Sequence, residues 1–531
     1  MASPHTMSES LSQLQGKHIP DMISFSFLVF TAIVTYLLWG LYSYFLSPLR
    51  KFPGPRLAAW TRLWYLLQVK SGASHLVLKR LHEELGPIVR IAPNVLNINL
   101  PECIHTIYDR KGEWRKTEFY HGSSALVDGE IIFNLFSETD PERHKQERKQ
   151  VAKHYSRRSI SFLEPKMNDT IKLLCNQLDT QCIGSLGVEK NGFDLGAWIL
   201  YYAWDVVGTV TFSQPFGYLK EGRDFDATLG IAKVAMEYFA AIGTVPSLDR
   251  LLAKNPIFPM GPPGFDNITR ISVNHLRQRL QKVRSDLDSP GIQDFLDKFL
   301  ETQKAATGSV NEAQVVSWLM INMIAGADTT ASAIQSALYY SLKDPRIWER
   351  LTNEILQAGF NDETPSYDSA RDLPYLKAVI CEALRMSPGV CMIMERYVPK
   401  GGITLPSGGY IPEGYIVGMN PYVTNRNREI FGDKADDFCP ERWLQDQNRG
   451  ETQEAYEKRI KDMKSCDLTF GNGNRRCIGE LMGLTQVYKV VFALITRYEM
   501  TLVDSERWSV KNFWFLQQEG LEVEIKKRTR R

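Results

Sequence analysis

Cys477 is the residue best placed to do chemistry. It stands in FGNGNRRCIGE (Phe470–Glu480), directly after Arg475 and Arg476 and among Gly471, Gly473 and Gly479. The run that follows, IGELMGLTQVYKVVFALI, has a helical apolar period. Cys477 therefore sits at a helix N-terminus, where backbone N–H groups and the dipole favour a thiolate. The two arginines act in the same direction. The glycines permit tight turns and close approach of a flat group, and Gly479 and Gly483, four apart, clear one helical face. A thiolate with space beside it is a nucleophile or a metal ligand.

A nucleophilic cysteine needs a positioned histidine, and none lies near Cys477 in the chain. A single soft ligand beside a flat clearance suits haem iron, with the thiolate as axial ligand. The other seven cysteines form no C-x-x-C pair; they read as reduced, mostly buried thiols rather than a zinc site or a disulfide framework.

A second group of reactive residues lies in WLMINMIAGADTTASAI, the middle of an apolar helical run over 310–343. Ser309 with Glu312 reads as its capping box; the length corresponds to about 50 Å. Gly326 weakens the helix there. A threonine such as Thr329 can bond back to a carbonyl one turn earlier and bend it. Asp328 is costly in such a place unless partnered. The local sequence alone also fits an internal kink with a solvated aspartate. Farther upstream, PERHKQERKQVAKHYS puts His144 and Arg148 on one helical face and Lys145, Lys149 and Lys153 on the next. A basic stripe of that kind is ordinarily a solvated face.

These residues need a large scaffold, and 531 residues supply one. The net charge of +2 gives no electrostatic case for nucleic acid. No charge occurs from Met22 to Leu49, and Tyr36, Trp39, Tyr42 and Tyr44 gather toward the end of that run. This reads as a transmembrane anchor over 22–47 after a short tail, 1–21. Arg50, Lys51, Arg56 and Arg62 follow, which places the tail in the lumen and the remainder in the cytosol. Pro53-Gly54-Pro55 reads as a stiff hinge within 48–56, ahead of one catalytic domain, 57–531. Helical periods appear at 160–180, 227–243, 310–343, 345–358, 374–386 and 478–498. Strand patterns occupy 87–99, 401–420, MTLVD and LEVEIKK. The Pro- and Gly-rich stretch 254–267 reads as a linker or as a loop that touches the membrane.

The motifs now assemble into a resemblance. FGNGNRRCIG is similar to the haem-binding signature of cytochromes P-450, F-x-x-G-x-R-x-C-x-G, at Phe470, Gly473, Arg475, Cys477 and Gly479. AGADTT resembles that family's oxygen-activation motif. EALR supplies Glu382 and Arg385 as its E-x-x-R pair, and PERW supplies Arg442. The likeness spans Pro53 to the C-terminus. It implies a mainly α fold with a smaller β region, the cytochrome P-450 fold, behind a single N-terminal transmembrane helix. It implies haem b with Cys477 on the iron, Phe470 shielding the sulfur, and Gly479 beside it. Arg475, His144, Arg148 and Arg396 (in MERYVP) would meet the haem propionates. Asp328 and Thr329 would manage protons for dioxygen, and Glu382, Arg385 and Arg442 would form a buried network under the cysteine loop.

The resemblance also implies a monooxygenase of the endoplasmic reticulum membrane, in contact with lipid and acting on a lipophilic small molecule with O2. No bound flavin is expected, so electrons would come from a separate NADPH-cytochrome reductase docking on the lysine stripe and near Arg476. The substrate pocket would draw on FYHGSSALVDGE, Met320–Ala325, SPGVCMIM and WFLQQEG. TFSQPFGYLKEG is similar to fungal enzymes of the pisatin demethylase type, which points to secondary metabolism or detoxification. A haem-thiolate isomerase or dehydratase is the alternative; the intact Asp328–Thr329 pair argues against it.

Overall fold

The computed structural model describes residues 6–529 except 128–129, 184–191, 256, 259, 262–264, 286–293, 307, 309, 361–362 and 407. The N-terminal helix runs from Thr6 to Phe45, so it begins within the stretch read as a tail. Its segment Ser26–Phe45 is the one helix among the described residues long and apolar enough to cross a membrane. The end of this helix docks on the body. Ser43 Oγ donates to the Ala59 carbonyl at 2.6 Å, and buried Arg90 donates to the Ser43 carbonyl at 3.0 Å and its Oγ at 2.9 Å. Arg90 N donates to the Pro53 carbonyl at 2.7 Å, and a Cβ on Gly54 would overlap the Arg90 carbonyl. The proline segment read as a hinge is therefore clamped to a strand.

The rest is mainly helical with small sheets. Ile88–Ala92 and Val95–Ile98 form the expected hairpin; Val95–Ile98 then pairs in parallel with Ile416–Gly418, which pairs with Arg396–Tyr397. Tyr498–Leu502 and Glu522–Lys527 pair antiparallel, joined by Phe193–Asp194. Ser509–Phe513 and Phe515–Glu519 make a tight hairpin that the sequence reading did not separate. Its tip, Trp514, has φ +80°, a rare conformation for a bulky residue.

The core helix Leu195–Phe212 was also missed. It is apolar on nearly every side and mostly buried, so it shows no one-sided period. The run 310–343 is two helices, Glu312–Gly326 and Asp328–Lys343, divided at Ala327 (φ −84°, ψ −66°). Thr329 Oγ1 donates to the Ala325 carbonyl at 2.8 Å across the break. Asn311 is the N-cap and accepts from Gln314 N, replacing the expected cap at Ser309, which lies outside the described residues.

Helix Pro374–Met386 carries Glu382 and Arg385 into the interior. Arg385 donates to both Glu382 oxygens at 2.8 Å. Arg442 Nε (2.9 Å), Trp443 Nε1 (2.8 Å) and Cys439 N (2.8 Å) complete the carboxylate's partners. Arg385 also donates to the carbonyls of Asn425 (2.8 Å), Ala435 (2.6 Å) and Asp437 (3.0 Å). Asn425 in turn bonds Leu468 N, Asp467 and Thr469, each at 3.2 Å, at the threshold of the cysteine loop. Removing one partner of a buried pair costs about 3–5 kcal/mol. Glu382→Ala is expected to lose that much stability, read as a lowered urea midpoint in detergent; an unchanged midpoint would show that the network is not structural.

Candidate active site

The cysteine loop is built by backbone geometry. Gly471 (φ +70°) and Gly473 (φ +66°) take left-handed conformations, and a Cβ on Gly473 would overlap the carbonyls of Tyr108 and Asp109. Asn474 N donates to the Asp109 carbonyl at 3.1 Å, and Cys477 N to the Phe470 carbonyl at 2.8 Å. The glycines thus let the loop lie against residues 108–109 and fold back on Phe470. The next helix is Glu480–Arg497 with Gly479 as N-cap. A Cβ on Gly483 would reach Thr330 Oγ1 at 3.7 Å, so this helix runs beside the broken central one.

Cys477 is accessible to solvent, yet burial is the main cause acting on its thiol. A side chain that is both accessible and desolvated faces an interior chamber. In this environment burial pushes the thiol pKa up; the Gly479 N–H, Arg148 and Arg476 oppose the shift, and Glu480 adds to it. The thiolate-favouring effect expected of both arginines is therefore outweighed. Arg476 is largely neutralised, since it pairs with Glu480 through two contacts of 2.7 Å. The other described cysteines are free as well, and Cys103, Cys175, Cys391 and Cys466 are buried; the side chain of Cys182 is outside the described residues.

A group of buried and half-buried basic residues gathers around His144. His144 is buried on helix Pro141–Val151, not on the surface. Burial, then Arg475, Lys116, Arg148 and Arg396, lower its pKa to about 2, so it is neutral. Arg475 donates to the Glu138 carbonyl at 2.7 Å; burial and Arg396 lower its pKa to about 10. Arg396 donates to Tyr120 Oη at 3.2 Å and the Glu395 carbonyl at 2.8 Å. Lys116, which sequence reasoning missed, donates to the Phe136 carbonyl at 2.6 Å and lies 3.8 Å from the Tyr120 ring centre. Burial, Arg475 and Arg396 hold its pKa well below normal. Lys116, Arg148, Arg396 and Arg475 form no salt bridge among the described residues. Such an excess of buried positive charge suits a multiply charged anion.

The break in the central helix forms another part of the site. Ala325 is exposed and Thr329 partly so, within an otherwise buried helix pair. Asp328 accepts from Trp204 Nε1 at 3.0 Å; burial raises its pKa to about 6 and the indole opposes that. Near the cations five rings pack together: Phe119, Tyr120, Phe136, Phe239 and Trp514, with Trp514 5.4–5.7 Å from each of the other four. Ser332 Oγ, one turn beyond Thr329, donates to the Leu516 carbonyl at 3.1 Å, which ties the Trp514 hairpin to the broken helix. Of the expected pocket segments, 119–120 and 514 thus meet. Residues 391–393 are fully buried, and Met320 accepts from Thr269 Oγ1 at 3.3 Å in the core. Residues 128–129 of FYHGSSALVDGE lie outside the described residues.

The cytochrome P-450 family profile matches residues 53–523. The chain is a cytochrome P-450. It is 40% identical over 523 residues to the cytochrome P-450 monooxygenase cfoH of Aspergillus candidus, covering 98% of this chain and 96% of that one. It is 35% identical over 486 residues to mpaDE of Penicillium brevicompactum, covering 90% of this chain and 55% of that longer protein. The monooxygenase pkfB of Emericella nidulans is 33% identical over 478 residues, 89% of this chain and 90% of that one. The chain is accordingly a haem-thiolate monooxygenase, and Cys477 is the cysteine of the ligating motif. The residues present fit haem: an accessible thiol in a desolvated chamber, a clear face along Gly479, and unpaired cations for two carboxylates.

Lys116, Asn425 and Trp204 were not legible as site residues. Each lies outside a spaced motif and joins the site through tertiary packing alone. A charge-assisted hydrogen bond is worth about 1.5–3 kcal/mol. Lys116→Met is therefore expected to speed haem transfer to apomyoglobin roughly 10- to 100-fold; an unchanged rate would remove Lys116 from the cofactor site.

Proposed function

We propose that this cytochrome P-450 inserts one oxygen atom from O2 into a lipophilic small molecule, most simply as a hydroxyl group. The observation that carries this reading is the Asp328–Thr329 break, opened onto the interior within a buried helix. When bound, haem ligated through the Cys477 thiolate supplies the redox chemistry that cleaves dioxygen. Arg475, Arg148, Arg396 and neutral His144 hold its propionates. Phe470 and Gly479 shield and clear the sulfur side. Thr329 Oγ1 rests on the Ala325 carbonyl and offers a hydroxyl to the reacting oxygen. Asp328, with a pKa raised to about 6, passes it protons near neutral pH, as a general acid must. Glu382, Arg385 and Arg442 act only by holding the loop.

Electrons come from a separate NADPH-dependent reductase. Lys145, Lys149 and Lys153 are exposed along helix Pro141–Val151 and its continuation, and an acidic flavoprotein gains encounter rate on such a stripe. The helix Ser26–Phe45 anchors the enzyme in the endoplasmic reticulum membrane, with residues 57–531 in the cytosol. Leu57, Leu63, Leu67, Leu251, Phe258 and Ile257, the last 91% exposed, add apolar surface to that side. A cavity of about 850 Å³ opens beside them, lined by Arg62, Phe119, His121, Ile242, Leu251 and Lys254 among others, and offers a route for an apolar substrate. The fungal relatives support a role in secondary metabolism.

Thr329→Ala is expected to raise the peroxide released per NADPH consumed several-fold while haem loading stays intact. Unchanged coupling would remove Thr329 from oxygen chemistry. In parallel, the reduced carbon-monoxide complex should show a strongly red-shifted Soret band that Cys477→Ser abolishes. If the band is present and substrate turnover consumes no oxygen, the insertion reading fails.

A further inference from the structure

Among the described residues, most buried carboxylates are held by cations or by backbone amides. Glu382 takes two arginines, and Asp294 takes Arg279 at 2.7 Å. Asp205 accepts from the backbone N–H groups of Gly217 (2.7 Å), Tyr218 (3.1 Å) and Leu219 (2.9 Å). Carboxylates held this way have every bond committed to the scaffold. Asp328, like Glu147 with Trp318, is held by an indole instead. Its Oδ1 accepts from one neutral donor, Trp204 Nε1, at 3.0 Å, and its Oδ2 has no hydrogen-bond partner among the described residues.

The indole is itself immobilised. Trp204 is 1% exposed and packs edge-on against Tyr218 at 6.3 Å and against Phe216 at 6.4 Å. Tyr218 belongs to the segment whose amides clasp Asp205, the residue after Trp204. The Asp205 clasp thereby fixes the ring that touches Asp328. We propose that Trp204 is the positioning residue for Asp328, fixing one carboxyl oxygen with a neutral N–H so that the other is free to take and give a proton. This rests on the reading of Asp328 as a proton carrier.

Several charged groups on the elements packed against helix Asp328–Lys343 have partners of their own. Asp205 is clasped as described, Glu382 pairs with Arg385, Glu480 with Arg476, and Glu519 with Lys233 at 2.7 Å. Glu312 stands at the far end of its own helix. Only burial and the indole act on the Asp328 carboxyl, in opposite directions. A hydrogen bond to the charged form favours that form, so removing the indole N–H must raise the carboxyl pKa further.

The test uses the full-length, haem-loaded enzyme in detergent. Infrared difference spectra, each protein minus its Asp328→Asn counterpart, follow the C=O stretch of the protonated carboxyl against pH. With Trp204 present the band is expected to titrate near pH 6; in Trp204→Phe the midpoint should rise by about one pH unit or more. An unshifted midpoint overturns the proposal. A second readout needs no change at Trp204. With 5-fluorotryptophan incorporated, one fluorine resonance should titrate at the carboxyl midpoint and stop titrating in Asp328→Asn; no titrating resonance overturns the proposal. The two readings fail separately. A shifted midpoint with unaltered peroxide leakage in Asp328→Asn keeps the positioning role and removes the proton-carrier role. Leakage in Asp328→Asn with an unshifted midpoint does the reverse.

Discussion

Glu382 is completely buried, and its carboxylate receives five hydrogen bonds. Three come from guanidinium groups, one from an indole and one from the backbone. Without them a buried charge would be untenable. With them, two arginines acquire fixed positions, and each arginine then orders irregular backbone. Arg385 holds residues 425, 435 and 437; Arg442 donates to the carbonyls of Phe431 and Lys434. Asn425 carries that order on to residues 467–469. The loop that presents Cys477 has neither strand nor long helix to fix it. Part of its order comes from that carboxylate through two relays, and part from the contacts of Gly473 and Asn474 with residues 108–109.

The same chemistry, a buried acid, is used for opposite ends elsewhere in the molecule. Glu382 is surrounded by cations, which keep it charged and inert. Asp328 and Glu147 are each held by a tryptophan N–H at 3.0 Å, and burial raises their pKa values to about 6 and about 7. Neutral partners leave a proton movable near physiological pH, whereas charged ones forbid it. Partner choice, rather than depth, separates an acid held below its ordinary pKa from acids raised toward neutral pH.

Much of the site could be read in the chain because its chemistry demands fixed spacings. The glycines at 471 and 473 meet steric requirements, Cys477 a ligand requirement, and Glu382 with Arg385 one helical turn. Helices with one buried face, such as Pro345–Gln357 and Thr228–Gly243, announced themselves by their period. Leu195–Phe212 did not, because burial on all sides erases the pattern. The division at Ala327 was hidden for a different reason: a bend depends on which carbonyl a threonine captures, and several registers fit the same letters. Lys116 is the sharpest case. Beside Arg115 and in a short irregular segment, it looks like any surface lysine, and only the packing of Tyr120 and Phe136 over it turns it inward.

The unpaired cations around the chamber also bear on how the enzyme is made. Lys116, Arg148, Arg396 and Arg475 pair with no carboxylate among the described residues, and a dianionic cofactor would relieve the crowding of their charge. Haem, as the anion that they would hold, would therefore stabilise the folded chain as well as equip it. Binding to the folded form alone shifts the folding equilibrium by mass action, and unfolded chains in cells are continually triaged by proteases. A holoenzyme favoured in this way would outlast the chain without haem, so porphyrin and iron supply would bear on the amount of enzyme as well as on its activity.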